Sequence, residues 1–241
     1  MKALVTGGCG FIGSHLVERL LKAGCQVVVL DNLSTGRSLN LEAVMRRPQL
    51  EIVEKDITER ASLGAHFQGV DVVFHLAALA DIVPSIERPI DYYHANVTGT
   101  ISILEAARAA GVPRLVYAAS SSCYGIPETL PTPETAPAKP EYPYALTKYL
   151  GEQLVLHWGK VYQMNVVSLR LFNVYGPRSR TSGTYGAVMG VFLAQRLADK
   201  PLTIVGDGTQ RRDFVYVSDV VEAFWLASQS NVSGEIFNIG S

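Results

Sequence analysis

Cysteine, one-signed charge and long apolar runs are all scarce in this sequence, and each scarcity removes a class of function. Cys9, Cys25 and Cys123 form an odd set without CxxC spacing, which leaves no disulfide framework and no zinc site and points to a reducing compartment, the cytoplasm. His15, His66, His75, His94 and His157 show no HxxxH or HExxH spacing, so no metal is expected. Lys and Arg number 21 against 22 Asp and Glu, a net charge of -1, so no global field attracts nucleic acid or an anionic membrane. Any bound phosphate needs local donors. The longest apolar stretch, Val70 to Val83, is broken by Asp71, His75 and Asp81 and is too interrupted to span a membrane. Met1 to Gly8 reaches glycine too early for a signal peptide.

What is present is a chain of 241 residues, 48% hydrophobic, with 21 Gly and 12 Pro, enough for one dominant core and a minor appendage. Short β-branched runs near 2–6, 26–30, 51–54, 71–76, 114–119 and 165–171 alternate with helical periodicity near 11–23, 39–46, 91–110 and 143–162. Runs such as Val27 to Leu30 are apolar throughout, as strands covered on both faces require. The pattern predicts a doubly wound α/β parallel sheet. Six prolines make 126–143 a loop. Beyond residue 172, glycines such as Gly176, Gly183, Gly186 and Gly190 break the chain into shorter pieces: a helix near 186–198, a strand near 202–205, a helix near 218–229 and a strand end at 236–240.

Gly7-Gly8-Cys9-Gly10-Phe11-Ile12-Gly13 follows the first strand and opens the first helix, satisfying GxGxxG through Gly8, Gly10 and Gly13 and GxxGxxG through Gly7, Gly10 and Gly13. Glycines there let backbone approach a pyrophosphate while the helix N-terminus offers free N–H groups. Asp31 ends the second strand, where a carboxylate accepts from ribose hydroxyls and repels a 2′-phosphate. NAD is favoured over NADP, with Arg37 close enough to leave that choice open. Asp56 and Ile57, after the third strand, are placed to meet the adenine edge. Tyr144 and Lys148 share a helix face four residues apart, and Ser120, Ser121 and Ser122 end the fifth strand. A lysine ammonium beside a phenol draws its pKa toward neutrality and makes a base. Against this stands the plain reading of a glycine-rich turn and a surface Tyr/Lys pair.

Together these landmarks resemble the extended short-chain dehydrogenase/reductases that act on nucleotide sugars, with a Rossmann-type core. The resemblance also rests on Asp31-Asn32-Leu33-Ser34, His75-Leu76-Ala77-Ala78, Asn96-Val97-Thr98-Gly99-Thr100, Arg170 to Pro177 and Gly206 to Phe214. It implies that 1–172 form the NAD-binding domain and 173–241 a small substrate-binding region interleaved with the core. A further C-terminal segment usual in the family is then expected to be missing. Implied NAD contacts are Gly7, Gly10, Phe11, Ile12, Gly13, Asp31, Asn32, Leu33, Ser34, Thr35, Gly36, Asp56, Ile57, Leu76, Ala77, Ala78, Ala80, Asn96, Ser120, Tyr144, Lys148 and Phe172. Ser120, Tyr144 and Lys148 form the implied catalytic set. Ser120, Ser121, Ser122, Tyr144, Asn173 and Arg212 face the nucleotide sugar by that resemblance, with Asn173 and Arg212 on its diphosphate. Asp213, beside Arg212 in the sequence, is given no role beyond orienting it.

Relatives that eliminate water carry Asp and Glu where this sequence has Ser121 and Ser122, and decarboxylating relatives keep a Glu at the Ser122 position. Epimerase-reductases place a catalytic Cys there, whereas Cys123 sits one residue later and is expected to pack. The resemblance therefore implies the UDP-glucose 4-epimerase type of activity on a UDP-hexose, through a 4-keto sugar with Tyr144 as base. The alternatives are another activity of the family, a dehydratase or a C2, C3 or C5 epimerase, and a non-catalytic dinucleotide-binding sensor. Sugar choice is expected to depend on Ser85, Ser121, Ser122 and Tyr185. A homodimer is implied through helices near 91–110 and 143–162, with Tyr92, Tyr93, Tyr142 and Tyr149 at its surface.

Overall fold

Each central strand is apolar along its length and must be covered on both faces, and this requirement organises the whole molecule. The computed structural model describes residues 1–179, 188–204 and 206–241. In chain order the N-terminal half runs β1 (Lys2–Thr6), α1 (Phe11–Lys22), β2 (Gln26–Asp31), β3 (Leu50–Glu54), β4 (Val72–His75), α2 (Ile82–Glu87), α3 (Pro89–Tyr93), α4 (Gly99–Ala109) and β5 (Arg114–Ser120). It continues with α5 (Pro143–Tyr162), β6 (Asn165–Leu171), β7 (Asn173–Tyr175), α6 (Val188–Leu197), β8 (Phe214–Tyr216), α7 (Val217–Gln229) and β9 (Glu235–Ile239). Seven parallel strands form the sheet in the order β3-β2-β1-β4-β5-β6-β9, and β7 pairs with β8 in a separate ribbon.

The strand order reverses between β1 and β4, which opens a crevice at the carboxyl ends of the strands, where ligands of doubly wound sheets bind. Thr6, Asp31, His75 and Ser120 all stand at that edge. One face of the sheet is closed by α1 and α7, where Leu16, Val17, Leu20 and Phe224 are fully buried against Val5, Val29 and Phe74. The other is closed by α4 and α5, with Ile103, Leu104 and Val155 against Leu4, Leu30 and Leu115.

The expected α5, at 143–162, matches the structure to the residue. The helix expected at 39–46 does not form: a single 3-10 turn covers Ser38–Leu41 and turns follow. Only Leu41 there is fully buried while Leu39 is 69% exposed, so no apolar stripe draws the segment onto the core. The helix expected at 91–110 is broken into α3, a π turn at His94–Thr98, and α4. The strand expected near 202–205 is absent at 202–204, where Leu202 and Ile204 are exposed, and its last residue lies outside the described residues. Tyr185, Gly183 and the first residues of the helix expected at 186–198 also lie outside them. The short elements α2, β7 and β8 were not anticipated, because three to six residues carry too little periodicity.

Candidate active site

The β1–α1 turn has almost no room for side chains. Gly7 has φ of +70°, and a Cβ there would stand 2.8 Å from the Ala77 nitrogen; one on Gly13 would stand 2.2 Å from the Gly7 carbonyl oxygen. Gly10 starts α1 without a side-chain cap, so the first-turn N–H groups face outward from a bare backbone cradle. Asp31, at the end of β2, accepts from the Cys9 N–H at 2.9 Å and from the Leu33 N–H at 2.9 Å. Burial pushes its carboxyl up and those two donors pull it back. The Cys9 carbonyl in turn accepts from the Arg37 N–H at 2.9 Å and from Asn40 Nδ2 at 2.8 Å. One residue, Cys9, therefore ties the glycine turn to the loop containing Leu33, Ser34, Thr35 and Gly36. A Cβ on Gly36 would stand 2.9 Å from both Asp31 carboxylate oxygens, so glycine is needed for that approach.

Across the crevice, Ser120 caps the 3-10 turn Ser121–Tyr124 by accepting from the Ser122 N–H at 3.2 Å, and its hydroxyl meets that of Ser122 at 2.8 Å. Tyr144, in the first turn of α5, has its phenol near enough to Ser120 for that hydroxyl to oppose the rise of its pKa. Lys148, one turn on, is 4% exposed, with Nζ 4.3 Å from the centre of the Tyr117 ring. The structure thus brings the serine turn, the phenol and the lysine together at the carboxyl edge of β5.

The profile of the NAD dependent epimerase/dehydratase family matches residues 3–240. The chain belongs to that family. It is 41% identical over 244 residues to a UDP-glucose 4-epimerase of Mycolicibacterium smegmatis, covering 100% of this chain and 77% of that protein. It is 38% identical over 246 residues to a UDP-N-acetyl-alpha-D-glucosaminuronate decarboxylase of Bacillus cytotoxicus, covering 100% and 75%. The UDP-glucose 4-epimerase of Thermus thermophilus, solved in complex with NAD, superposes with a TM-score of 0.90 at 38% identity over 100% of this chain and 78% of that one. The cofactor of this epimerase/dehydratase is NAD, and the bare glycine cradle and the carboxylate at the end of β2 fit a dinucleotide.

Several of the remaining residues implied for NAD follow the ends of β2, β3, β4 and β6. Asn32 donates to Asp56 at 2.8 Å; against the upward push of burial, this bond and those from the Thr58 N–H and hydroxyl hold the Asp56 carboxyl below its ordinary value. Ile57 is buried, and only glycine at position 99 admits it, a Cβ there standing 2.6 Å from its Cδ1. Leu76, Ala77 and Ala78 follow β4 and are partly buried, and Ala80 is exposed. Phe11 and Ile12 lie in the first turn of α1, and Phe172 donates its N–H to Ile239. Asn96 is 1% exposed, and its amide is committed to protein: it accepts from the Leu79 N–H and donates to the Leu79 carbonyl and the Thr147 hydroxyl. Its side chain holds the loop after β4 onto α5.

On the other side, Asn173 donates twice to the Asp213 carbonyl, from its backbone and from Nδ2 at 2.9 Å. This places it beside Arg212, whose exposed guanidinium bonds only the Arg211 carbonyl among the contacts seen. Asp213 does not orient Arg212, because its carboxylate accepts from the N–H and hydroxyl of Ser241. Ser85 does not face a pocket; it is fully buried and donates to the Ile82 carbonyl. All three cysteines are buried thiols, with Cys123 pushed up to about 11 by burial, a packing role. Among the described residues there is no cluster of three or more His, Cys, Asp or Glu fit for a metal, and no helix long and apolar enough to cross a membrane.

The electrostatics depart from expectation at one point. Burial raises the Tyr144 pKa, with the Ser120 hydroxyl opposing and Asp81 adding to the rise. Lys148 does not draw the phenol toward neutrality in the chain alone, because burial pulls its own pKa down to about 7 against the influence of Glu152. His75, read from the sequence as structural and as part of the motif at the end of β4, is fully buried between the Thr6 and Thr100 hydroxyls at 2.7 and 2.9 Å. Thr100 donates to the Asn96 carbonyl and Thr6 accepts from the Leu76 and Ala77 N–H groups, so His75 carries its proton on Nε2 and accepts at Nδ1.

Proposed function

We propose that this family member epimerises a UDP-hexose at C4, with Tyr144 as the base. The observation that carries the reading is the neutral serine turn. Ser121 and Ser122 follow Ser120 beside the Tyr144 phenol and offer hydroxyls, with no carboxylic acid in the turn to protonate a leaving group or accept a carbon-bound proton. Such a site is suited to moving one hydroxyl proton and little else. The UDP-glucose 4-epimerase names of two similar proteins support the choice, and the decarboxylase relative marks the competing one.

NAD, bound in the crevice, supplies the hydride acceptor and donor. Tyr144, as the phenolate that a protonated Lys148 and the positive charge of an oxidised nicotinamide would favour against burial, takes the proton of the C4 hydroxyl and later returns it; Ser120 holds that hydroxyl in line. The sugar passes through a 4-keto form and turns over between the two proton transfers. Asn173 and the exposed Arg212 hold the nucleotide diphosphate, Arg212 by a charge-assisted bond, which makes 173–241 the substrate-binding region. The cytoplasm suits three free, buried thiols. A second copy packs on α3 and α5, where Ile90, Tyr93, Tyr142 and Leu146 are 77%, 52%, 40% and 45% exposed; Tyr92, at 2%, is interior. Light scattering that gives a monomer at micromolar concentration would exclude the dimer.

The deciding experiment incubates the protein with UDP-, dTDP-, GDP- and CDP-sugars and follows products by NMR. A C4 epimer pair of a UDP-hexose, without net NADH, is the expected result. Stoichiometric NADH, loss of carbon dioxide or a dehydrated product would replace the reading with another activity of the family. Retention of NAD with no conversion of any sugar by the wild type would leave only a sensor.

A further inference from the structure

Glu152 follows Lys148 by one helical turn and Tyr144 by two, so the three side chains lie on one face of α5. Glu152 is 1% exposed and Arg170, on β6, is 4% exposed. The guanidinium grips the carboxylate in two bonds, 2.9 Å from Nε and 2.7 Å from Nη2, and Ser168 adds a third at 3.0 Å. Arg170 also donates to the Tyr124 hydroxyl at 2.7 Å, which donates to Asn238 at 2.7 Å. A fully buried charged pair costs more desolvation than it returns in most settings, so its position beside the site calls for another reason.

Lys148 lies in a setting hostile to an ammonium. Around it stand the Tyr117 ring on β5 and the neutral His75 on β4, with Tyr144 one turn earlier and Glu152 one turn later on its own helix. Tyr117 donates to the Lys148 carbonyl, and Gly151 lets the helix close onto its ring, a Cβ there standing 2.3 Å from the Tyr117 oxygen. Glu152 is the acidic group acting on Lys148 in this setting, one turn along the same buried helix face, and the Arg170 clamp fixes its carboxylate in place.

We propose that Glu152, clamped by Arg170, is a positioning residue of this site whose carboxylate keeps Lys148 charged beside Tyr144. The inference rests on the reading that Lys148 serves Tyr144. Its charge state is nonetheless measurable without turnover. Arg170 extends the clamp through Tyr124 to the serine turn, so one buried pair fixes both the charge of the lysine and the placement of the turn that meets the phenol.

The test uses NAD-free and NAD-loaded protein labelled with 15N-lysine, with the Lys148 Nζ signal assigned through Lys148→Met. In wild type the Nζ titrates near pH 7 in the NAD-free protein. Glu152→Gln is expected to lower that midpoint by about one pH unit and to shift the alkaline limb of kcat/KM by a similar amount. Because Glu152→Gln strands a buried guanidinium, the double variant Glu152→Gln/Arg170→Met is measured beside it. The same downward shift in both variants supports Glu152 as the source. A shift in the single variant alone would assign the effect to the stranded Arg170 and overturn the proposal, as would an unchanged Nζ midpoint in both. A lowered midpoint in a protein that turns over no sugar would sink the functional reading while leaving the role of Glu152 intact.

Discussion

At the scale of single residues, burial pushes the phenol, the lysine and the histidine of the site toward their neutral forms. Burial raises Tyr144 and lowers Lys148 to about 7 and His75 to about 3. Tyr144→Phe removes the phenol beside Ser120 that would act as base, so turnover is expected to fall by about 10² to 10⁴ while extracted protein still releases NAD in full amount. For His75 the native pKa lies near 3 and the unfolded one at 6.5, so between these values the unfolded chain binds more protons and stability falls as pH falls. From pH 7 to pH 5 the loss is about 2 kcal/mol from this group alone. Urea melts at the two pH values check it, with His75→Gln flattening the difference. Ser120, Tyr144 and Lys148 were legible because their spacing relates a strand end to a helix face. Glu152 was less so: a charged residue one turn beyond Lys148 is a readable signal, but only its buried partner on β6 gives it meaning.

At the scale of elements, the glycine turn and the π turn set the crevice. Gly13→Ala drives a Cβ to 2.2 Å of a backbone oxygen that cannot yield as a side chain can. NAD affinity is expected to drop by about tenfold or more, read by fluorescence or calorimetric titration. Asn96→Ala leaves the Leu79 N–H without its partner at 2.8 Å and frees the loop after β4. Unfolding stability is expected to fall by about 1–3 kcal/mol. The π turn that presents Asn96 was not readable, since one extra residue in a helical turn leaves the apolar periodicity nearly unchanged. The failed helix at 39–46 shows the converse. Its propensities allow a helix, yet Asn40 is used to hold the Cys9 carbonyl and only Leu41 reaches the core fully.

At the scale of the whole molecule, the last strand returns to the first-formed sheet. β9 pairs along β6 from Val167↔Glu235 to Leu171↔Ile239, and Phe172 donates to Ile239. Deleting residues 230–241 would bare the β6 edge, and aggregation during expression is the expected outcome, measured by light scattering of the soluble fraction. A second long-range tie joins the two parts of the chain: Arg178, after β7, pairs with Glu18 on α1 at 2.5 Å and His15 meets the Pro177 carbonyl at 3.0 Å. Alternating patterns made the parallel sheet legible. The β7–β8 ribbon and these ties were not, because they join residues more than 40 positions apart with no repeat in the sequence to announce them.

The backbone of Cys9 donates its N–H to Asp31 and accepts at its carbonyl from Arg37 and Asn40, so the turn expected to cradle phosphate and the loop expected to meet ribose share a hinge pin. Ordering either one pre-arranges the other. The two halves of a dinucleotide, offered as separate mononucleotides, should therefore assist each other's binding, and the affinity of one half should depend on whether the other is in place.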